Sequence, residues 1–254
     1  MLTVNSNVTL VLGNNIILQG HSQNTGSLVY VNGGIFKMNN GATITGNSGK
    51  SGVYLNSGTF EMNGGTISDN TAGAGGGVYL SSSTTFNMSG GTITGNSASS
   101  GGGGVCNFMG TLIMSGGIIS GNTASSGGGV YRNHGTFEMS GGTISGNSAN
   151  EGGGVWCNGA GYFTMRGGTI TSNIAVEYGG GVHFHGYSSF SDAFTKTGGI
   201  ITGYSSDPSS GNVVHDGFRV LELRGHAIYS DYRRKETTSG QLNNLYSSSS
   251  SGWD

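Results

Sequence analysis

Residues 127–147 read GGGVYRNHGTFEMSGGTISGN, and this stretch contains each part of a unit that fills most of the chain. It holds three short apolar runs, Val130-Tyr131, Phe137 with Met139, and Ile144, separated by glycine-rich breaks and closed by Asn147. The same runs return about every 25 residues in both directions, the signature of a repeat architecture. A valine column runs Val29, Val53, Val78, Val105, Val130, Val155, Val182. An F-x-M column runs Phe36/Met38, Phe60/Met62, Phe86/Met88, Leu112/Met114, Phe137/Met139, Phe163/Met165, and then Phe194 with Lys196 in the methionine place. An isoleucine column runs Ile44, Ile67, Ile93, Ile119, Ile144, Ile170, each followed by Asn47, Asn70, Asn96, Asn122, Asn147 or Asn173. Ile201 continues the isoleucines, but Tyr204 stands where the asparagine belongs.

Side chains on a strand alternate between its two faces, so Phe and Met at i and i+2 share a side. Three strands of about five residues with three turns add up to about 25 residues, one coil of a parallel β-solenoid. Helical repeats need about 34 residues with long 3.6-period runs, which are missing, as is a leucine-rich consensus. The expected fold is therefore all-β: a single-stranded parallel β-helix (β-solenoid) of about eight coils, each of about 25 residues. Regular coils are expected over 28–203, with an earlier partial coil through Val8, Leu10, Leu12 and Leu18. An irregular terminal coil is expected over 204–230, using FRVLEL at 218–223 and HAIYS at 226–230, so that 1–230 forms the β-helix. Residues 231–254, with Arg233-Arg234-Lys235 and the serine run 247–251, read as a polar low-complexity tail.

The composition fits this organisation and excludes others. The chain has 53 glycines but one proline, and glycine keeps no every-third-residue period, so it is not collagen. No apolar run approaches the ~18 residues of a membrane helix. With a net charge of -2 and ten Lys+Arg scattered along the chain, there is no basic face for nucleic acid or an anionic membrane. Glycine belongs at corners, where positive φ or close backbone approach is needed. Asparagines recurring at one corner suggest amides bonded along a ladder.

At this point GGGVY, GTFEMSGGTISGN and GTLIMSGGIISGN resemble the GG[AV] and F-x-x-N repeats of polymorphic outer-membrane proteins and related bacterial surface adhesins. The similarity covers about residues 28–203. It implies a right-handed, pectin lyase-like parallel β-helix used as a secreted or cell-surface passenger. The membrane barrel that exports members of that family has no counterpart in these residues. The amino terminus MLTVNSNVTLVLGNN has no basic region leading into an apolar core, so no signal peptide is read there.

In such a stack, residues one coil apart in sequence are neighbours in space. β-helix enzymes that cleave polysaccharides group carboxylates, often with calcium. The outward position between Phe and Met reads Lys37, Glu61, Asn87, Ile113, Glu138, Thr164, Thr195, which stacks no two carboxylates and lets Lys37 meet Glu61. Glu151 and Glu177, each before a glycine run, are the nearest acidic pair. His183 and His185 are expected to point outward from one strand, without a third ligand in register; no metal and no cofactor are expected. Cys106 should face outward and Cys157 inward or into the corner. Two coils separate them by about 10 Å, beyond the ~7 Å Cα limit of a disulfide, so both should be free thiols.

Two repeated outer faces remain. The residue after each core valine is Tyr30, Tyr54, Tyr79, Cys106, Tyr131, Trp156 and His183, a nearly continuous aromatic column. Stacking for register and cover for glycine backbone would suffice to explain it. Alternatively it offers a flat platform for sugar rings or a partner protein, because Tyr and Trp join apolar faces to polar tips. The second face flanks the isoleucines: Thr43/Thr45, Thr66/Ser68, Thr92/Thr94, Ile118/Ser120, Thr143/Ser145, Thr169/Thr171 and Ile200/Thr202. Such rows resemble ice-binding solenoids, although threonine is also a good strand residue. The expected role is a non-enzymatic surface module, extracellular or on the cell surface. Its partner would be a glycan or a host or neighbouring surface protein, bound through Tyr30, Tyr54, Tyr79, Tyr131, Trp156 and His183. A carbohydrate-active lyase or hydrolase and an ice-binding protein are the alternatives.

Overall fold

The computed structural model describes residues 1–159, 161–185, 194–203, 209, 211–214 and 227–230. The expected strand at 218–223, Tyr204 and the 231–254 tail lie outside the described residues. The described residues are all-β, and every strand pairing is parallel. Successive coils stack as a β-solenoid with three sheets of 15, 8 and 6 strands.

From Val78 onward each full coil carries four strands, one more than the three expected. The valine strands and the F-x-M strands both belong to the 15-stranded sheet. In two early coils they are one continuous strand, Val29–Met38 and Val53–Met62, which later coils break into pairs such as Val78–Leu80 and Thr84–Met88. The isoleucine strands build the eight-stranded sheet. The six-stranded sheet is the additional one: Thr71–Ala74, Ser97–Gly101, Thr123–Ser126, Ser148–Glu151, Ile174–Tyr178 and Val213–Val214. Its inward column is Ala72, Ala98, Ala124, Ala149, Ala175 and Val214, each two residues after a ladder asparagine and each buried. Small, serine-flanked residues carry little hydrophobic signal, which is why sequence periodicity overlooked them.

In-register parallel pairing puts each side chain over its own equivalent in the next coil. Phe60 pairs with Phe36 and Phe86, and their rings stack at 4.8 and 4.6 Å; Phe137 stacks on Phe163 at 4.5 Å. Leu112 interrupts the phenylalanine stack between Phe86 and Phe137. One inward column turns polar as it passes along the stack: Val31, Leu55, Leu80, then Asn107, Arg132 and Cys157, then Phe184. Burying such groups is tolerated when they are bonded. Asn107 Nδ2 donates to Thr136 O at 2.8 Å, and the Arg132 guanidinium donates to Gly135 O at 3.3 Å.

The asparagine ladder forms as expected. Asn70, Asn96, Asn122, Asn147 and Asn173 are buried, and each side-chain amide donates to the Oδ1 of the next asparagine in the column at 2.8–3.0 Å. The acceptor for Asn173 is Asn212, so the column skips an insertion after Gly203 rather than ending at position 204.

The glycine triplets divide their work. Gly102 has φ 68°, the left-handed region that glycine enters without a Cβ penalty. Gly104 needs no positive φ; a Cβ there would lie 2.7 Å from Gly129 O of the next coil. That triplet thus sets both the corner and the closeness of stacking.

Candidate functional site

Pairing confirms the aromatic column residue by residue. Tyr30, Tyr54, Tyr79, Cys106, Tyr131, Trp156 and His183 follow one another across the 15-stranded sheet, and Tyr229 extends the column by one coil. Rings stack at 5.6 Å for Tyr30/Tyr54, 4.8 Å for Tyr54/Tyr79 and 4.6 Å for Tyr131/Trp156. Where Cys106 breaks the row, Phe108 stacks on Tyr79 at 6.5 Å with its own side chain exposed.

The column is less open than a free platform. Its five tyrosines are half-buried, while Cys106, Trp156 and His183 are only 2%, 6% and 1% exposed. Cys106 and His183 keep the outward register expected of them but are covered rather than exposed. Neighbouring side chains supply the cover: Trp156 lies against Tyr131, His183 and His185, and His183 lies against Tyr178 and Tyr229, while bare Gly101 leaves room for the Tyr131 ring over the turn. Burial pushes the Cys106 thiol up to about 12. Burial, followed by the neighbouring Cys106, Tyr54 and Tyr131, likewise pushes Tyr79 up to about 12. Cys157 is wholly buried, as expected, and both cysteines are free. Lys37 meets Glu61 at 2.8 Å, also as expected.

At the far end of the column the side chains change character. His183 and His185 share one face of Val182–His185, as their i, i+2 spacing requires. Glu151, the last residue of Ser148–Glu151, reaches the same place from the six-stranded sheet. Its register partner is Tyr178, not Glu177, so the expected acidic pair does not form; a bulge between Ala149 and Glu151 shifts the alignment. Glu151 Oε2 lies 3.4 Å from His183 Nδ1 and accepts a 3.0 Å hydrogen bond from Trp156 Nε1. The His183 ring beside it, with smaller help from Trp156 and His185, holds the Glu151 carboxyl below its usual range against the opposing effect of burial. One potential ligand atom from each of Glu151, His183 and His185 lies within 4.8 Å of the others. The third donor that sequence spacing lacked is therefore present. A repeat register predicts neighbours along a column, whereas this donor arrives across a corner from another sheet.

No family model, curated protein or solved structure matches the chain. Fold and site together define its class: a parallel β-solenoid scaffold with an outer aromatic ladder that ends in a mixed histidine and carboxylate cluster.

Proposed function

We propose that this chain is a non-enzymatic module of an exported bacterial surface protein, serving adhesion or display, and that it holds a glycan or a neighbouring surface protein against its aromatic ladder. The observation that carries the reading is the run of stacked, half-exposed rings of Tyr30, Tyr54 and Tyr79 beside exposed Phe108. Stacked rings held by neighbours lose little side-chain freedom when a flat ligand settles on them. The resemblance of the repeats to polymorphic outer-membrane proteins and surface adhesins supports the same role, as does a charged fraction of only 9%. The test is a glycan and surface-protein array comparing wild type with Tyr54→Ala/Tyr79→Ala, checked for folding by circular dichroism. Binding weakened about tenfold or more supports the ladder as the contact face; equal binding by both proteins removes it.

A second reading rests on the eight-stranded sheet. Thr43, Thr66, Thr92, Thr143 and Thr169 stand in one outward row in register, interrupted by Ile118. Regular hydroxyl and methyl rows suit ordered water, and an ice-recrystallisation assay at micromolar protein tests it. Absence of activity there excludes ice binding.

A further inference from the structure

The cluster at the end of the ladder has the donors of a metal centre. We propose that Glu151, His183 and His185 bind one divalent transition-metal ion of the zinc class and that the ion clips two successive coils together.

The donor types narrow the ion. Imidazole suits zinc, copper and nickel, whereas calcium and magnesium take oxygen ligands. Two neutral imidazoles and one carboxylate also carry a net negative charge, which favours a cation. The spacing fits as well. In a tetrahedral zinc site, bonds of about 2.0–2.1 Å place neighbouring ligand atoms about 3.3 Å apart. The His183 Nδ1 to Glu151 Oε2 distance is 3.4 Å. His185, exposed at the strand end, closes the remaining gap from within the 4.8 Å span by side-chain rotation.

The surroundings hold the donors in place. Trp156 Nε1 donates to Glu151 Oε2, and a carboxylate with about four lone-pair sites accepts that bond and still ligates. The His183 ring, 1% exposed, meets Trp156 and Tyr229 edge-on, at 6.3 and 5.1 Å between centroids. Trp156 stacks on His185 at 5.5 Å. His185 is exposed, so water would complete a tetrahedral shell. Because Glu151 and the histidines lie on different strands of adjacent coils, the bound ion joins the six-stranded sheet to the 15-stranded one. An ion that binds only the folded chain also stabilises it.

The experiment uses the full chain, without a histidine tag, stripped with chelator and titrated with zinc by calorimetry, with cobalt(II) absorption as a second readout. Wild type should bind one ion per chain in the micromolar range or tighter, develop tetrahedral cobalt bands and melt at a higher temperature with zinc. His185→Ala and Glu151→Gln should each weaken binding by at least about tenfold. His134→Ala, an exposed histidine on another coil, should bind as wild type does. The melting temperature of His185→Ala should not rise with zinc when compared with its own metal-free form, which separates lost ligation from lost packing. Absence of stoichiometric binding by wild type overturns the proposal, and so does undiminished binding by His185→Ala and Glu151→Gln.

Discussion

Asn122 shows how much one buried side chain does in this fold. Its Nδ2 donates to Ile93 O, Ser120 O and Asn147 Oδ1 at 3.0, 3.0 and 2.9 Å, one hydrogen being shared, while its Oδ1 accepts from both nitrogens of Asn96. Alanine there strands several buried polar groups at once, each costing about 1–3 kcal/mol. Asn122→Ala should therefore lose about 3 kcal/mol or more of stability in denaturant unfolding, whereas Asn24→Ala, at the less buried end of the ladder, should lose under about 1 kcal/mol. Cys106 gives a chemical prediction. A buried thiol raised to about 12 presents almost no thiolate at pH 8, so a thiol reagent should label neither Cys106 nor Cys157 until the chain is unfolded. Rapid native labelling would contradict the packing of that corner. Tyr79 gives a pH dependence. Its phenol keeps its proton more tightly folded, near 12, than at its ordinary 10.0, so its contribution is fully present below pH 10 and lost as the pH rises towards 12. Wild type should destabilise over that alkaline window more steeply than Tyr79→Phe, followed by thermal melting against pH.

At the scale of a strand and its corners, glycine placement separates two kinds of site. A Cβ on Gly104 would meet backbone, Gly129 O at 2.7 Å, so the coils must part to admit it. Gly73, exposed on Thr71–Ala74, has nothing within 4 Å of an added Cβ. Gly104→Ala should destabilise by about 1–3 kcal/mol, and Gly73→Ala should be neutral or slightly stabilising. Similar losses at both positions in chemical denaturation would show that stacking distance is not set by the triplet. The valine, F-x-M and isoleucine strands were legible in the sequence because each returns a large apolar residue to the same place in every coil. The fourth strand was not, since Ala124 among Thr123, Ser125 and Ser126 looks like a loop until a neighbouring strand supplies its hydrogen bonds.

Across the whole molecule, each coil leans only on its neighbours, so stability should be graded along the stack. The first coil is open on one side, with Val11 and Ile17 50% and 63% exposed, while the central columns Val78, Phe86, Ile93, Val105 and Ile119 are fully buried. Hydrogen exchange should be slowest in the amides of the central coils and fastest over Leu2–Leu12; uniform protection would mean that the stack opens only as one unit. The columns, the ladder, the free thiols and the Lys37/Glu61 pair could be deduced from the sequence alone. Parallel in-register stacking converts a spacing in residues directly into adjacency in space, so a repeat is a contact list. Only the tertiary structure decided what happens where unlike strands meet. It placed Asn212 across an insertion, packed Trp156 and His183 under neighbouring rings, and carried Glu151 to the two histidines. Those contacts run across corners between sheets, where backbone turns rather than periodicity determine which side chains converge.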